Sequence, residues 1–183
     1  MKKLLTIICI LAVSLTTKAQ MIAVNTDVVT DALQAPNLGF EMIVSNKSSI
    51  SLNALYANKA MGKDIKLVAI QPEYRHYISN RPMHGIFLGF GAIGSRYDIS
   101  WSGKRYEGDA FGGGLTFGYV WDVTNRFCVD FHAGFGAVAY RQKEYKLNSN
   151  YDDSMENGII KTNASGYYLI PTRIGISASY IIK

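Results

Sequence analysis

The sequence predicts an all-β fold, an eight-stranded antiparallel transmembrane up-and-down β-barrel preceded by a cleaved signal peptide. Three observations predict it. Long runs alternate with period two, which is the signature of strands. In the cleanest of those runs neither face carries the long charged side chains of a water-facing sheet. The first nineteen residues also have the anatomy of an export signal.

Residues 1–19 start with Lys2 and Lys3 and continue as an apolar run from Leu4 to Leu15. Thr17-Lys18-Ala19 then sets small residues at −3 and −1 of a cut before Gln20. Twelve apolar residues fall short of the roughly 20 that a spanning helix needs. The expected domains are therefore a signal peptide, 1–19, and an outer-membrane barrel domain, 20–183. The whole chain carries a formal charge of +5. Without Lys2, Lys3 and Lys18 the balance is 16 bases against 14 acids, so the high pI does not point to nucleic acid. Cys9 lies inside the apolar run, and Cys128 is the other cysteine, so the mature chain can form no internal disulfide and no Cys-based zinc site.

The first five strands are expected near 21–29, 38–45, 50–57, 65–77 and 85–101. The clearest strand is 110–121, where Phe111, Gly113, Leu115, Phe117, Tyr119 and Trp121 alternate with Ala, Gly, Thr and Val. The run 127–139 repeats the scheme, and Ile174, Ile176, Ala178, Tyr180 and Ile182 alternate with Arg173, Gly175, Ser177 and Ser179 in the last. A parity shift in the fifth strand predicts a bulge near Gly94. Pro72 lacks an N–H in a closed sheet and calls for a further local bulge. Short turns near 45–49, 79–82 and 123–126 oppose longer links near 30–37, 58–64, 102–109 and 146–166. Short periplasmic turns and longer outer loops are the habit of outer-membrane barrels.

Small side chains suit the crowded interior of an eight-stranded barrel, so the large apolar face must look outward into lipid. Two aromatic girdles are expected at the lipid–water boundaries. Tyr74, Tyr119, Trp121, Phe127 and Tyr180 fall near the periplasmic ends, and Tyr56, Tyr97, Trp101, Phe111 and Tyr168 near the outer ends. Parity puts Asp27, Glu41, Glu73, Arg75, Asp130, His132 and Arg173 inside, joined by Arg96 and Asp98 after the bulge. These charges are read as a salt-bridged plug, with an ion path as the alternative.

The segments Asn37-Leu38-Gly39-Phe40-Glu41, Gln71-Pro72-Glu73-Tyr74-Arg75, Arg105-Tyr106-Glu107-Gly108, Gly112 to Trp121 and Pro171-Thr172-Arg173-Ile174-Gly175-Ile176-Ser177 resemble, in series, the bacterial barrel family known as domain of unknown function 3575, chiefly of Bacteroidota. The resemblance implies an outer-membrane barrel, and an association with surface fimbriae. Many members carry cysteines in the last long loop, and this chain has none after Cys128. The run Arg173-x-Gly175-x-x-Ala178-x-Tyr180 also looks like the C-terminal signal read by the barrel-assembly machinery.

His76, His84 and His132 do not fall at the expected outer rim, which argues against a catalytic site there. No metal-ligand spacing or phosphate loop is present. The expectation is a non-enzymatic barrel without cofactor in the cell outer membrane. Its partners would be outer-membrane lipid, the assembly machinery and a surface protein reached through the polar loop 146–166. The alternative is a small lipid- or ion-handling barrel.

Overall fold

The computed structural model describes residues 21–60, 62–146, 155–156, 159–160 and 162–182. The expected leader and most of loop 146–166, with Tyr151, Asp152 and Asp153, lie outside the described residues. The elements run β1 (Ile22–Asp27), α1 (Val28–Ala32), β2 (Asn37–Ser45), β3 (Ser48–Ala57), β4 (Ile65–Tyr77), β5 (Gly85–Trp101), β6 (Lys104–Asp122), β7 (Phe127–Lys146), β8 (Met155–Glu156), β9 (Ile159–Ile160) and β10 (Ala164–Ile181). Among the described residues β8 and β9 pair with each other alone. The other eight strands close on themselves in the order β1-β10-β7-β6-β5-β4-β3-β2, every neighbour antiparallel. Closure gives every barrel strand a neighbour on both sides over part of its length, while from Ile176 back to Ala164 the β1 side of β10 has no strand partner among the described residues.

The walls are uneven. β1, β2 and β3 have 6, 9 and 10 residues, whereas β5, β6, β7 and β10 have 17 to 20. The extra length corrects the expected link at 102–109. The strands run on to Trp101 and Lys104, joined by Ser102 (φ 51°) and Gly103 (φ 76°) alone. Two consecutive positive φ values make the turn whose twist matches a hairpin, and glycine accepts the second without strain.

The expected bulge near Gly94 is absent. β5 keeps one register with β6 from Gly85↔Val120 to Trp101↔Lys104. The shift falls instead in β10, between Pro171 and Arg173. Pro72 is accommodated without a bulge. Its register with β3 is continuous, while the β4–β5 pairing lapses between Ile70↔Gly94 and Glu73↔Gly91 and resumes in the same register. The missing donor is thus absorbed by a short gap in one ladder.

Helix α1 interrupts a stretch expected to be strand and link. Asp27 ends β1 and caps α1, its carboxylate accepting from the backbone N–H of Val29 at 2.9 Å and of Thr30 at 3.1 Å.

Strand parity sorts the interior into tiers. A floor of Ala23, Tyr77, Met83, Phe87, Val120, Cys128 and Ile181 closes the end with the short turns. The Tyr77 and Phe87 rings lie 5.6 Å apart. A Cβ on Gly118 would sit 2.5 Å from the Phe87 ring, so this glycine admits the phenyl group. A charged and polar tier follows, and above it the tall wall forms an open cup.

Candidate functional site

Arg75 is the hub of the polar tier. It projects inward from β4 and is 2% exposed. Its Nη1 donates to Asp130 Oδ2 at 2.8 Å and to Glu41 Oε2 at 3.2 Å, and its Nε donates to Glu73 Oε2 at 2.8 Å. The guanidinium carbon lies 4.5 Å from the Phe87 ring centroid, so the cation also rests on an aromatic face of the floor. Glu41 is completed by two hydroxyl donors, Tyr77 at 2.6 Å and Ser49 at 2.5 Å.

A second cation extends the network across the ring. Arg173 Nη1 donates to Glu73 Oε2 at 2.8 Å, and its Nε donates to His132 Nε2 at 3.1 Å. His132 Nε2 also lies 3.3 Å from Asp27 Oδ2, and Nδ1 lies 3.6 Å from Asp130 Oδ1. A ring nitrogen accepts only without its proton and donates only with it. The Arg173 and Asp27 contacts of Nε2 are therefore alternatives, set by where the imidazole carries hydrogen.

The seven groups come from β1, β2, β4, β7 and β10. Four carboxylates face two guanidiniums and one imidazole, all nine-tenths buried or nearly so. Small neighbours make the room. A Cβ on Gly175 would lie 2.0 Å from Asp27 Oδ2, so only glycine leaves space for that carboxylate. Above the network a cavity of about 270 Å³ opens among Asp27, Asn37, Gln71, Thr172 and Arg173.

Asp27, Glu41, Glu73, Arg75, Asp130, His132 and Arg173 are thus brought together. Arg96 and Asp98 are not, which corrects their expected place in the lumen. Without a bulge, the even positions of β5 stay on the outer face from Ile86 onward. Arg96 is paired there with Asp109 at 2.7 Å, its side chain 81% exposed. Asp98 receives Arg105 Nε at 2.8 Å and Nη2 at 2.5 Å. The Arg105 hydrogen bonds hold the Asp98 carboxyl below its ordinary range, against a smaller opposing effect of burial.

Three expected girdle residues also change sides. Tyr97 and Trp101 keep the inward parity of β5, and both line the cup. The β10 shift turns Tyr168 inward, where its ring stacks on Tyr140 at 5.1 Å, and leaves Tyr167 outward. Tyr56, Tyr74, Phe111, Tyr119, Trp121, Phe127 and Tyr180 lie on outward positions.

Sequence reasoning missed Tyr77, Ser49 and Phe87 as partners of the network. Tyr77 shares parity with Glu73 and Arg75 and could have been read from it. It also missed the cup residues Tyr106, Tyr140 and Gln142, because it ended the strands too early.

The class of protein defined here is a closed, all-antiparallel eight-stranded barrel with a buried ionic network at its centre. Residues 5–182 match the model of one family, the proteins of unknown function DUF3575, and the chain belongs to that family. No match to a curated protein or to a solved structure was found.

Proposed function

We propose that the chain is a small, non-enzymatic outer-membrane barrel whose salt-bridged lumen is a structural plug, serving the envelope as a structural or surface-contact element. One observation carries this reading: at its middle tier the barrel is charged inside and apolar outside. Outward Phe111 and Leu115 are 71% and 68% exposed, while inward Glu41 and Arg75 are 1% and 2% exposed.

The apolar band has the right height. On β6 it runs from Trp121 to Phe111, and the next outward residues are Asp109, Glu107 and Arg105. Ten residues rise about 33 Å along a strand, or about 25 Å when tilted by about 40°, which is the thickness such barrels present to lipid. Above the band, charges sit in cross-strand rows, Arg96–Asp109–Arg141 and Lys66–Asp98–Glu107–Lys143, where lipid headgroups and water would meet them.

The expected partners are outer-membrane lipid, the barrel-assembly machinery, and a surface protein, with fimbrial components the first to try. Export through a leader cut before Gln20 would deliver the chain to the cell outer membrane.

The test is insertion and topology. Whole cells making Lys59→Cys or Thr124→Cys in a Cys128→Ser background are labelled with an impermeant maleimide. Lys59 lies in the link at the cup end and Thr124 in the short turn at the floor end. Labelling of Lys59→Cys alone is expected, and equal labelling of both in a soluble fraction refutes the reading. In planar bilayers a plugged lumen gives no steady conductance. Steady ion-selective current lost on Arg173→Leu would replace the plug with the ion-handling alternative.

A further inference from the structure

At the open end, the inner face of the tall wall forms a cup of about 450 Å³, a volume in the range of small-molecule sites. Its lining includes Tyr97, Trp101, Tyr106, Tyr140, Gln142 and Tyr168, with aliphatic side chains between them and, among the described residues, no charged one. We propose that this cup binds a neutral saccharide, so that the surface contact of this protein is with glycan. The inference deepens the surface-contact reading and rests on it.

The chemistry of the lining selects the ligand. Every aromatic ring in the cup is Tyr or Trp, so each apolar face ends in an O–H or N–H. The cup surface is mainly apolar and some of these tips are already paired, Tyr97 with Gln142 among them, but an acyl chain would leave the others unanswered. A sugar ring answers them, because it presents an apolar C–H face and a rim of hydroxyls. At the rim Lys63 is already seated on Trp101, and among the described residues the lining itself offers an ionic ligand no counter-charge.

The geometry supplies both elements. The Tyr140 and Tyr168 rings are stacked, 4° from parallel with centroids 5.1 Å apart, so each holds the other's orientation. Tyr168 remains 59% exposed, so it can still meet a ligand on its side away from Tyr140. Tyr97 donates to Gln142 Oε1 at 2.9 Å, which fixes the amide and leaves its NH₂ group to donate to a ligand. Trp101 stands at the rim, with Lys63 Nζ 3.2 Å from its ring centroid. The low wall of β1 to β3 leaves the cup open on one side, so a ligand can enter while part of a longer chain.

The test uses the mature barrel in phosphatidylcholine nanodiscs, free of sugar-headed detergent, with Trp121→Phe so that Trp101 is the sole indole. Maltotriose, cellotriose and a β-galactosyl trisaccharide are titrated free and as glycolipids in the disc, with decanoate as the acyl probe. A saturable change in Trp101 emission is expected with at least one saccharide. Tyr168→Ala should weaken it at least about tenfold, Tyr168→Phe less, and Tyr180→Ala, on the outer face at the floor end, not at all. Response to the free sugar identifies a soluble glycan ligand, and response to the glycolipid alone a membrane-borne one. No saturable response to any saccharide, a response undiminished in Tyr168→Ala, or saturation by decanoate alone overturns the proposal. Each variant is first checked for the heat-dependent gel shift of a folded barrel. A shifted barrel that ignores every saccharide overturns the glycan site and leaves the membrane reading standing.

Discussion

Arg75→Leu is the sharpest perturbation of the lumen. The guanidinium serves three carboxylates at 2.8 to 3.2 Å, and all four side chains are no more than 3% exposed. Leucine removes the cation and leaves Glu41, Glu73 and Asp130 facing one another in a space that excludes bulk water. Breaking one buried pair costs about 3–5 kcal/mol. Three partners do not triple that figure, because the contacts share one cation and the carboxylates can relieve strain by taking up protons. A loss of about 4 kcal/mol, at a urea dependence of roughly 2 kcal/mol per molar, moves the unfolding midpoint down by about 2 M. The assay is urea titration of the refolded barrel, read from the separation of folded and unfolded bands on unheated gels. Adding Glu41→Gln and Asp130→Asn to Arg75→Leu should recover much of the loss, since the cost lies in the orphaned charges. An Arg75→Leu midpoint within about 0.3 M of the parent would refute the view that this network holds the barrel shut.

Three further outcomes are expected. Leu115→Arg, on the outer face at mid-band, should cost about 2–4 kcal/mol in a bilayer and sharply reduce liposome insertion, whereas Lys143→Leu in the charged rows should change little. Gly175→Ala should lower the urea midpoint because its Cβ meets the Asp27 carboxylate, while Gly94→Ala, with open space at that position, should not. Asp98 has a lowered folded-state pKa from its Arg105 partner, so its contribution is present above the unfolded value of about 3.8 and lost as pH falls through the folded value. Asp98→Asn should therefore flatten the midpoint-versus-pH curve below about pH 4 and leave its shape at pH 7 unaltered.

Much of the architecture was legible because period two is a strong signal wherever two faces differ. The stretch 110–121 of β6 shows this best, since its outer face is all large apolar or glycine and its inner face small, and parity alone put Glu73, Arg75, Asp130, His132 and Arg173 on one side. The misreadings have a common cause. Parity propagates, so one misplaced irregularity reverses every residue beyond it. Setting a bulge at Gly94 sent Arg96 and Asp98 inward and Tyr97 and Trp101 outward. Missing the one beside Pro171 sent Tyr168 outward. In β5 the reversed stretch lies above the apolar band, where an outward face meets water, and in β10 it is Tyr167 to Pro171, aromatic or apolar on both faces, so in neither does polarity mark the inside. The Ser102-Gly103 hairpin was hidden for a related reason, because its flanks mix polar and apolar residues without a clean alternation. The hub role of Arg75 was beyond any pattern, since it depends on β2, β4 and β7 meeting across the lumen.

The shortness of β1 has a consequence for how the barrel is made. β1 joins β10 only from Ala23↔Ile181 to Asp27↔Ser177, and joins β2 only from Ile22↔Met42 to Asn25↔Gly39. β1 is thus held by two brief ladders, five pairs to β10 and four to β2, and the first of them is the seam that completes the circle by uniting the two ends of the described chain. Loop-closure entropy makes such a contact the last to be rewarded during folding. Asp27 sits at the end of that seam and reaches past β10 to His132 on β7. Asp27 is thus placed as a latch for the native ring, tying the seam across β10 to β7 with its carboxylate seated over Gly175.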